Sequence, residues 1–140
     1  MIAESLQVWL VDDDASIRWV LERALRNGGM STTAFEAAEP VLTALRTGSP
    51  DVLITDVRMT GQSGIDLLKR VHASHPELPV IVMTAHSDLG TTVSAYESGA
   101  FEYLPKPFDI DHAVDLVRRA AHSADRPTGA ASGRSAALPL

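Results

Sequence analysis

Three carboxylates, Asp12, Asp13 and Asp14, stand side by side directly after the apolar run Leu6 to Val11. Two carboxylates 4 Å apart repel by about 4 kcal/mol at the effective dielectric of a protein surface, so the cluster is costly unless a cation offsets it. Further polar residues close later apolar runs: Asp56 follows Val52 to Thr55, Thr84 ends the run from Val80, and Lys106 follows Phe101 to Leu104. Grouped acidic oxygens, with no cysteine in the chain and no histidine at ligand spacing, suit a hard divalent cation, most simply Mg²⁺. Magnesium commonly joins one or two protein carboxylates to a phosphoryl group. Lys106 and Thr84 would bring a positive charge and a hydroxyl donor to the same phosphoryl oxygens, and Asp56 is then a candidate nucleophile whose attack on phosphorus gives an aspartyl phosphate. Singly, each residue has an ordinary alternative. Asp12 to Asp14 suit a turn or a cap, Asp56 a loop, Thr84 a bond to a carbonyl, and Lys106 an exposed surface. Asp14 serves equally well as helix N-cap or as ligand. What favours a site is their joint placement at four strand ends.

The elements that must hold these residues alternate. Leu6 to Val11 reads as a strand apolar on both faces, the pattern of a covered parallel sheet. Apolar residues at 17, 20, 21, 24 and 25 trace one helical face, which Asn27-Gly28-Gly29 ends. Met30 to Phe35 is a second, Ser- and Thr-rich strand. Val41, Leu42 and Leu45 mark a helix closed by Gly48, Val52 to Thr55 a third strand, and Ile65, Leu68 and Val71 the next helix. Pro76 and Pro79 bracket a turn before the strand Val80 to Thr84. Leu89, Val93, Tyr96 and Ala100 give a fourth helix, Phe101 to Leu104 a fifth strand, and Ala113, Val114, Val117 and Ala121 a last helix. Five strand-helix units with short connections predict a doubly wound five-stranded parallel sheet with helices on both faces. Such sheets bind ligands beyond the carboxyl ends of their strands, where all the candidate residues stand.

With 140 residues, 45% of them hydrophobic, the chain supports one core, assigned here to residues 1–124. After His122 the composition turns to Ala, Ser, Gly and Pro, so 125–140 reads as a flexible linker or tail. The net charge of −6 argues against nucleic-acid binding by this segment. The missing cysteines, the lack of an apolar run of about 18 residues and a start unlike a signal peptide point to a soluble cytoplasmic protein with no membrane contact. His72, His75, His112 and His122 read as solvated, and Trp9 and Trp19 as packing residues. His86 lies close to the Thr84 strand end, where an ordinary loop position is still the better reading.

The set Asp12-Asp13, Asp56, Thr84-Ala85 and Lys106-Pro107 resembles the signature of response-regulator receiver domains, in order and at each strand end. The resemblance spans about residues 5–122 and implies a flavodoxin-like strand order 2-1-3-4-5. The segments "VDDDASIRWVLERAL", "DVRM", "VIVMTAHSDL" and "VSAYESGAFEYLPKPFDID" place it nearest the receivers of nitrogen-regulating transcriptional activators. It implies a signalling domain rather than an enzyme, with Asp56 accepting phosphate from a sensor histidine kinase. It further implies Mg²⁺ held by Asp13, Asp56 and the main-chain carbonyl of Arg58, with Asp12 acting through water or a neighbouring contact. Thr84, Asp88 and Tyr103 would form the switch, a Lys106-Pro107 cis bond is implied, and the partners would be downstream ATPase and DNA-binding domains and a possible second copy docked through the switch face. The fourth helix, with Gly90, Thr91, Thr92, Val93 and Ser94, is built from poor helix formers, Gly alone costing up to about 1 kcal/mol relative to Ala, and is expected to be marginal. Thr60 and the following "GQSG" depart from the family pattern, as does Gly90. Two competitors share parts of the pattern. In a haloacid-dehalogenase-type phosphatase Asp12 would be nucleophile and Asp14 acid, whereas a flavin-binding flavodoxin module would need an amide cradle where this chain has three anions.

Overall fold

The computed structural model describes residues 6–59, 63–85 and 89–125. Strands β1 (Gln7–Val11), β2 (Ser31–Phe35), β3 (Val52–Asp56), β4 (Val80–Ala85) and β5 (Glu102–Lys106) alternate with helices α1 (Ala15–Asn27), α2 (Ala38–Ala44), α3 (Gly64–Ser74), α4 (Leu89–Glu97) and α5 (Ile110–Asp125). All strand pairings are parallel, in the order β2-β1-β3-β4-β5. The doubly wound sheet predicted from the alternation is therefore the fold observed.

Period-two alternation divides the core into two layers. Val8, Leu10, Val52, Ile54, Ile81, Met83 and Leu104 pack with Leu21 and Leu25 of α1 and Leu116 and Val117 of α5. Val11, Leu53, Val80 and Val82 pack on the other side with Val41 of α2, Leu67, Leu68 and Val71 of α3, and Ala95 of α4. Burial is complete along β3, the central strand, and incomplete along the edge strand β2. This is the gradient expected when helices cover both faces of a sheet.

Several boundaries differ from the sequence reading. Helix α2 ends at Ala44, short of Gly48, because Arg46 and Thr47 turn back through tight bonds to the carbonyls of Thr43 and Ala44. Strand β5 runs through Pro105 to Lys106; a proline without an N–H is tolerated there because β5 is an edge. Two side chains, Trp19 read as packing and His72 read as solvated, turn out otherwise. Trp19 is 61% exposed on α1 with the Arg23 guanidinium 5.4 Å from its ring centre, whereas Trp9 does pack, against Phe35. His72 is half-buried, its Nε2 3.0 Å from the Leu78 carbonyl oxygen. Its ring fills the space beside Gly99, where φ is +104° and a Cβ would lie 2.7 Å from Nδ1, so only glycine fits the turn from α4 into β5. Among the described residues, no helix is long and apolar enough to cross a membrane.

Candidate functional site

Asp12, Asp56 and Lys106 each stand two residues beyond a core residue of one layer, Leu10, Ile54 and Leu104, so the alternation that buries those three carries the polar residues to the same side of the sheet end. The Lys106 Nζ lies 3.0 Å from Asp12 Oδ2 and 3.3 Å from Asp56 Oδ1, tying the ends of β1, β3 and β5 together. Carboxylate oxygens of Asp12, Asp13 and Asp56 all fall within 4.8 Å of one another. The three anions at the end of β1 divide their roles. Asp12 is fully buried and its Oδ1 accepts the Asp14 N–H at 2.9 Å; Asp13 is exposed at the rim; Asp14 caps α1, accepting the Ser16 N–H at 2.8 Å. For Asp14 the N-cap reading holds.

Burial, and next the negative charge of Asp12, push the Asp56 carboxyl above the usual Asp range, against the attraction of Lys106 and the bond from the Val57 N–H. For Lys106 burial acts to lower the ammonium pKa, but its bonds to Asp12 and Asp56 outweigh that and hold it above its ordinary value. The result is a basic, desolvated carboxylate beside a firmly protonated lysine.

Thr84 falls on the opposite phase of the alternation, with Val80 and Val82, one residue past the position of β4 that is level with Asp56. It is 2% exposed and its hydroxyl has no hydrogen-bond partner. Arg58 lies exposed in the loop two residues beyond Asp56. Tyr103 is half-buried on β5 and packs edge-on against Tyr96 of α4, ring centres 5.8 Å apart; the Tyr96 hydroxyl donates to Glu102. The Lys106-Pro107 peptide is cis, as the resemblance implied. Asp88, His86 and Thr60 lie outside the described residues.

Two positioning contacts were not foreseen. A Cβ on Gly64, the first residue of α3, would sit 2.0 Å from the Asp56 carbonyl oxygen, which also accepts the Thr55 hydroxyl at 3.0 Å. Glycine thus lets α3 press against the backbone of the phosphoacceptor candidate, and the signal for it was a glycine just after a serine N-cap, where a helix has no need of one. Arg18, on α1, reaches back to the Asp12 carbonyl oxygen at 2.6 Å.

Residues 8–118 match the model of the response regulator receiver domain. The chain belongs to the response-regulator receiver family. Over 112 residues this receiver is 64% identical to the DNA-binding transcriptional regulator NtrC of Klebsiella pneumoniae, covering 80% of the chain and 24% of the relative. Against NtrC of Escherichia coli strain K12 it is 63% identical over 113 residues, 81% of the chain and 24% of the relative. The receiver therefore spans about a quarter of the length of these relatives. Among solved structures it is similar to the BeF3-activated receiver domain of NtrC, with TM-score 0.76 and 58% identity over 88% of this chain and 99% of that one. The apo form of that domain gives TM-score 0.76 and 61% identity over 84% and 94%.

Proposed function

We propose that this receiver is the phosphoacceptor input domain of an NtrC-type transcriptional activator in a cytoplasmic two-component system of nitrogen regulation. The observation that carries the reading is the Lys106 ammonium held between Asp12 and Asp56 at adjoining strand ends. The donor set, three clustered carboxylates with no sulfur or imidazole among them, fits a hard cation that prefers oxygen. Asp12, Asp13, Asp56 and the main-chain carbonyl of Arg58 would hold Mg²⁺, which when bound neutralises charge on transferring phosphoryl oxygens.

The chain's own residues supply the rest. The Asp56 carboxylate, made more basic by burial, attacks the phosphorus of a sensor kinase's phosphohistidine. A P–O bond forms, the P–N bond breaks, and its electron pair returns to the imidazole nitrogen. Lys106 places its charge against the phosphoryl oxygens, and the unpartnered Thr84 hydroxyl donates to one of them, gaining the bond it lacks. Drawing Thr84 toward Asp56 frees space into which Tyr103 turns, and the packing of Tyr103 on Tyr96 links that turn to α4. Asp88 is assigned to the same switch. The altered α4 and β5 surface then controls ATPase and DNA-binding domains of the full-length protein, reached through a linker at 125–140, and offers a face for a second copy. The domain promotes its own phosphorylation and dephosphorylation and turns over no separate substrate.

The phosphatase alternative needs Asp12 as nucleophile. Its side chain is 0% exposed, with one oxygen bonded to Lys106 and the other to the Asp14 N–H, while the Asp56 side chain keeps 12% exposure. Incubation with Mg²⁺ and acetyl phosphate separates the two readings. The phosphoacceptor reading expects a stoichiometric phosphoprotein that Asp56→Asn abolishes; continuous turnover destroyed by Asp12→Asn but not by Asp56→Asn would refute it.

A further inference from the structure

Arg18 lies outside the strand-end cluster, yet both of its ends engage the acidic turn. Its main-chain N–H donates to the Asp14 carbonyl oxygen at 3.1 Å, the bond that opens α1, and its Nη1 donates to the Asp12 carbonyl oxygen at 2.6 Å. Asp12 is pinned from the other sides as well, its N–H to the Phe35 carbonyl at 3.1 Å, its Oδ1 to the Asp14 N–H and its Oδ2 to Lys106. The carbonyl that Arg18 grips belongs to the peptide joining Asp12 to Asp13. Fixing that peptide plane fixes the direction in which Asp13 leaves the strand.

We propose that Arg18 is a positioning residue of the acidic pocket, clamping the Asp12 to Asp14 turn so that the Asp13 carboxylate is held toward Asp12 and Asp56. The inference rests on the reading of that pocket as a cation site. A charged donor bound to a carbonyl makes one of the stronger hydrogen bonds, and outer-shell partners of metal ligands commonly alter metal affinity by about 10- to 100-fold. Two effects of Arg18 oppose each other. Its positive charge repels a bound cation, whereas its bond preorganises a ligand that three adjacent negative charges would otherwise spread apart. A clamp requires that preorganisation dominate, which gives the effect of removing Arg18 a definite sign.

The test titrates Mg²⁺ into the unphosphorylated domain, following the amide resonances of Asp13 and Asp56, for the unaltered protein, Arg18→Met and Arg18→Lys, with thermal melts of each metal-free form. Arg18→Met is expected to weaken Mg²⁺ binding about tenfold. Saturating Mg²⁺ is expected to restore the maximal rate of phosphorylation by acetyl phosphate, because the defect lies in holding the ion. Unchanged or tighter Mg²⁺ binding in Arg18→Met, including a lowered melting temperature with no change in affinity, overturns the inference. Should Arg18→Met fail to fold, Arg18→Lys carries the test: with charge kept and the guanidinium fork lost, affinity falls for a clamp and holds for a residue acting by charge alone. Absence of Mg²⁺ binding to the unaltered domain would instead strike the cation-site reading itself.

Discussion

Thr84 carries a cost in the resting domain, since a buried hydroxyl without a partner costs about 1–3 kcal/mol. The Thr84→Val variant is expected to be more stable to denaturant by about 1 kcal/mol, and yet to be phosphorylated by acetyl phosphate about tenfold or more slowly, for want of the donor. Gain of stability with loss of transfer separates a functional hydroxyl from a structural one; equal transfer rates would count against the role given to Thr84. Asp56 gives a second test through pH. Its carboxyl sits above the usual Asp range, so as pH rises the unfolded chain releases this proton before the folded domain does, and ionisation then lowers stability. In the metal-free domain, Asp56→Asn is expected to raise the melting temperature at neutral pH. That difference should fade as the pH falls from the raised folded-state value toward the range where an unfolded Asp protonates, and melts from about pH 3 to pH 7 read it directly. At this scale Asp12, Asp13, Asp56, Thr84 and Lys106 were legible in the sequence, because each is a polar residue that interrupts an apolar run at the same point of its unit. Arg18 and His72 were not, and Gly64 showed only as a glycine out of place after Ser63. Each acts through a main chain brought near by folding, and neither the Asp12 carbonyl nor the Asp56 carbonyl leaves a mark on the side-chain pattern.

Among the helices, α4 buries the fewest of its described side chains. Of its described side chains only Ala95 is buried, while Val93 and Tyr96 are 49% and 43% exposed. Gly90 is exposed in its first turn, and a Cβ there would meet nothing within 4 Å. Gly90→Ala is therefore expected to stabilise α4 by up to about 1 kcal/mol, seen as severalfold slower amide hydrogen exchange in that helix and unchanged exchange in α1. Unaltered protection in α4 would show that something other than propensity sets its stability. The existence and order of the ten elements among the described residues could be read from periodicity, because an alternation repeated over five units is hard to mimic. The ends could not. The end of α2 depends on a tight turn after Thr43, and the reach of β5 through Pro105 depends on its being an edge strand, which only the assembled sheet decides.

Taken whole, the molecule is a two-layered core with the candidate site at one sheet end and α4 packed on one face. Fully buried β3 sets the phosphoacceptor candidate at the tip of the most constrained strand, while β5 carries both Lys106, which reaches the pocket, and Tyr103, which touches α4. One strand thereby joins the site to the surface that would report on it, a plan that suits a chain covering 24% of the transcriptional regulators it matches. The central claim is that Asp56 itself becomes the acyl phosphate. The most direct measurement is borohydride reduction of the domain after treatment with Mg²⁺ and acetyl phosphate, followed by peptide mass spectrometry. Asp56 alone is expected to be converted to homoserine; conversion at Asp12 or Asp13 in its place, or no conversion anywhere, would contradict the claim.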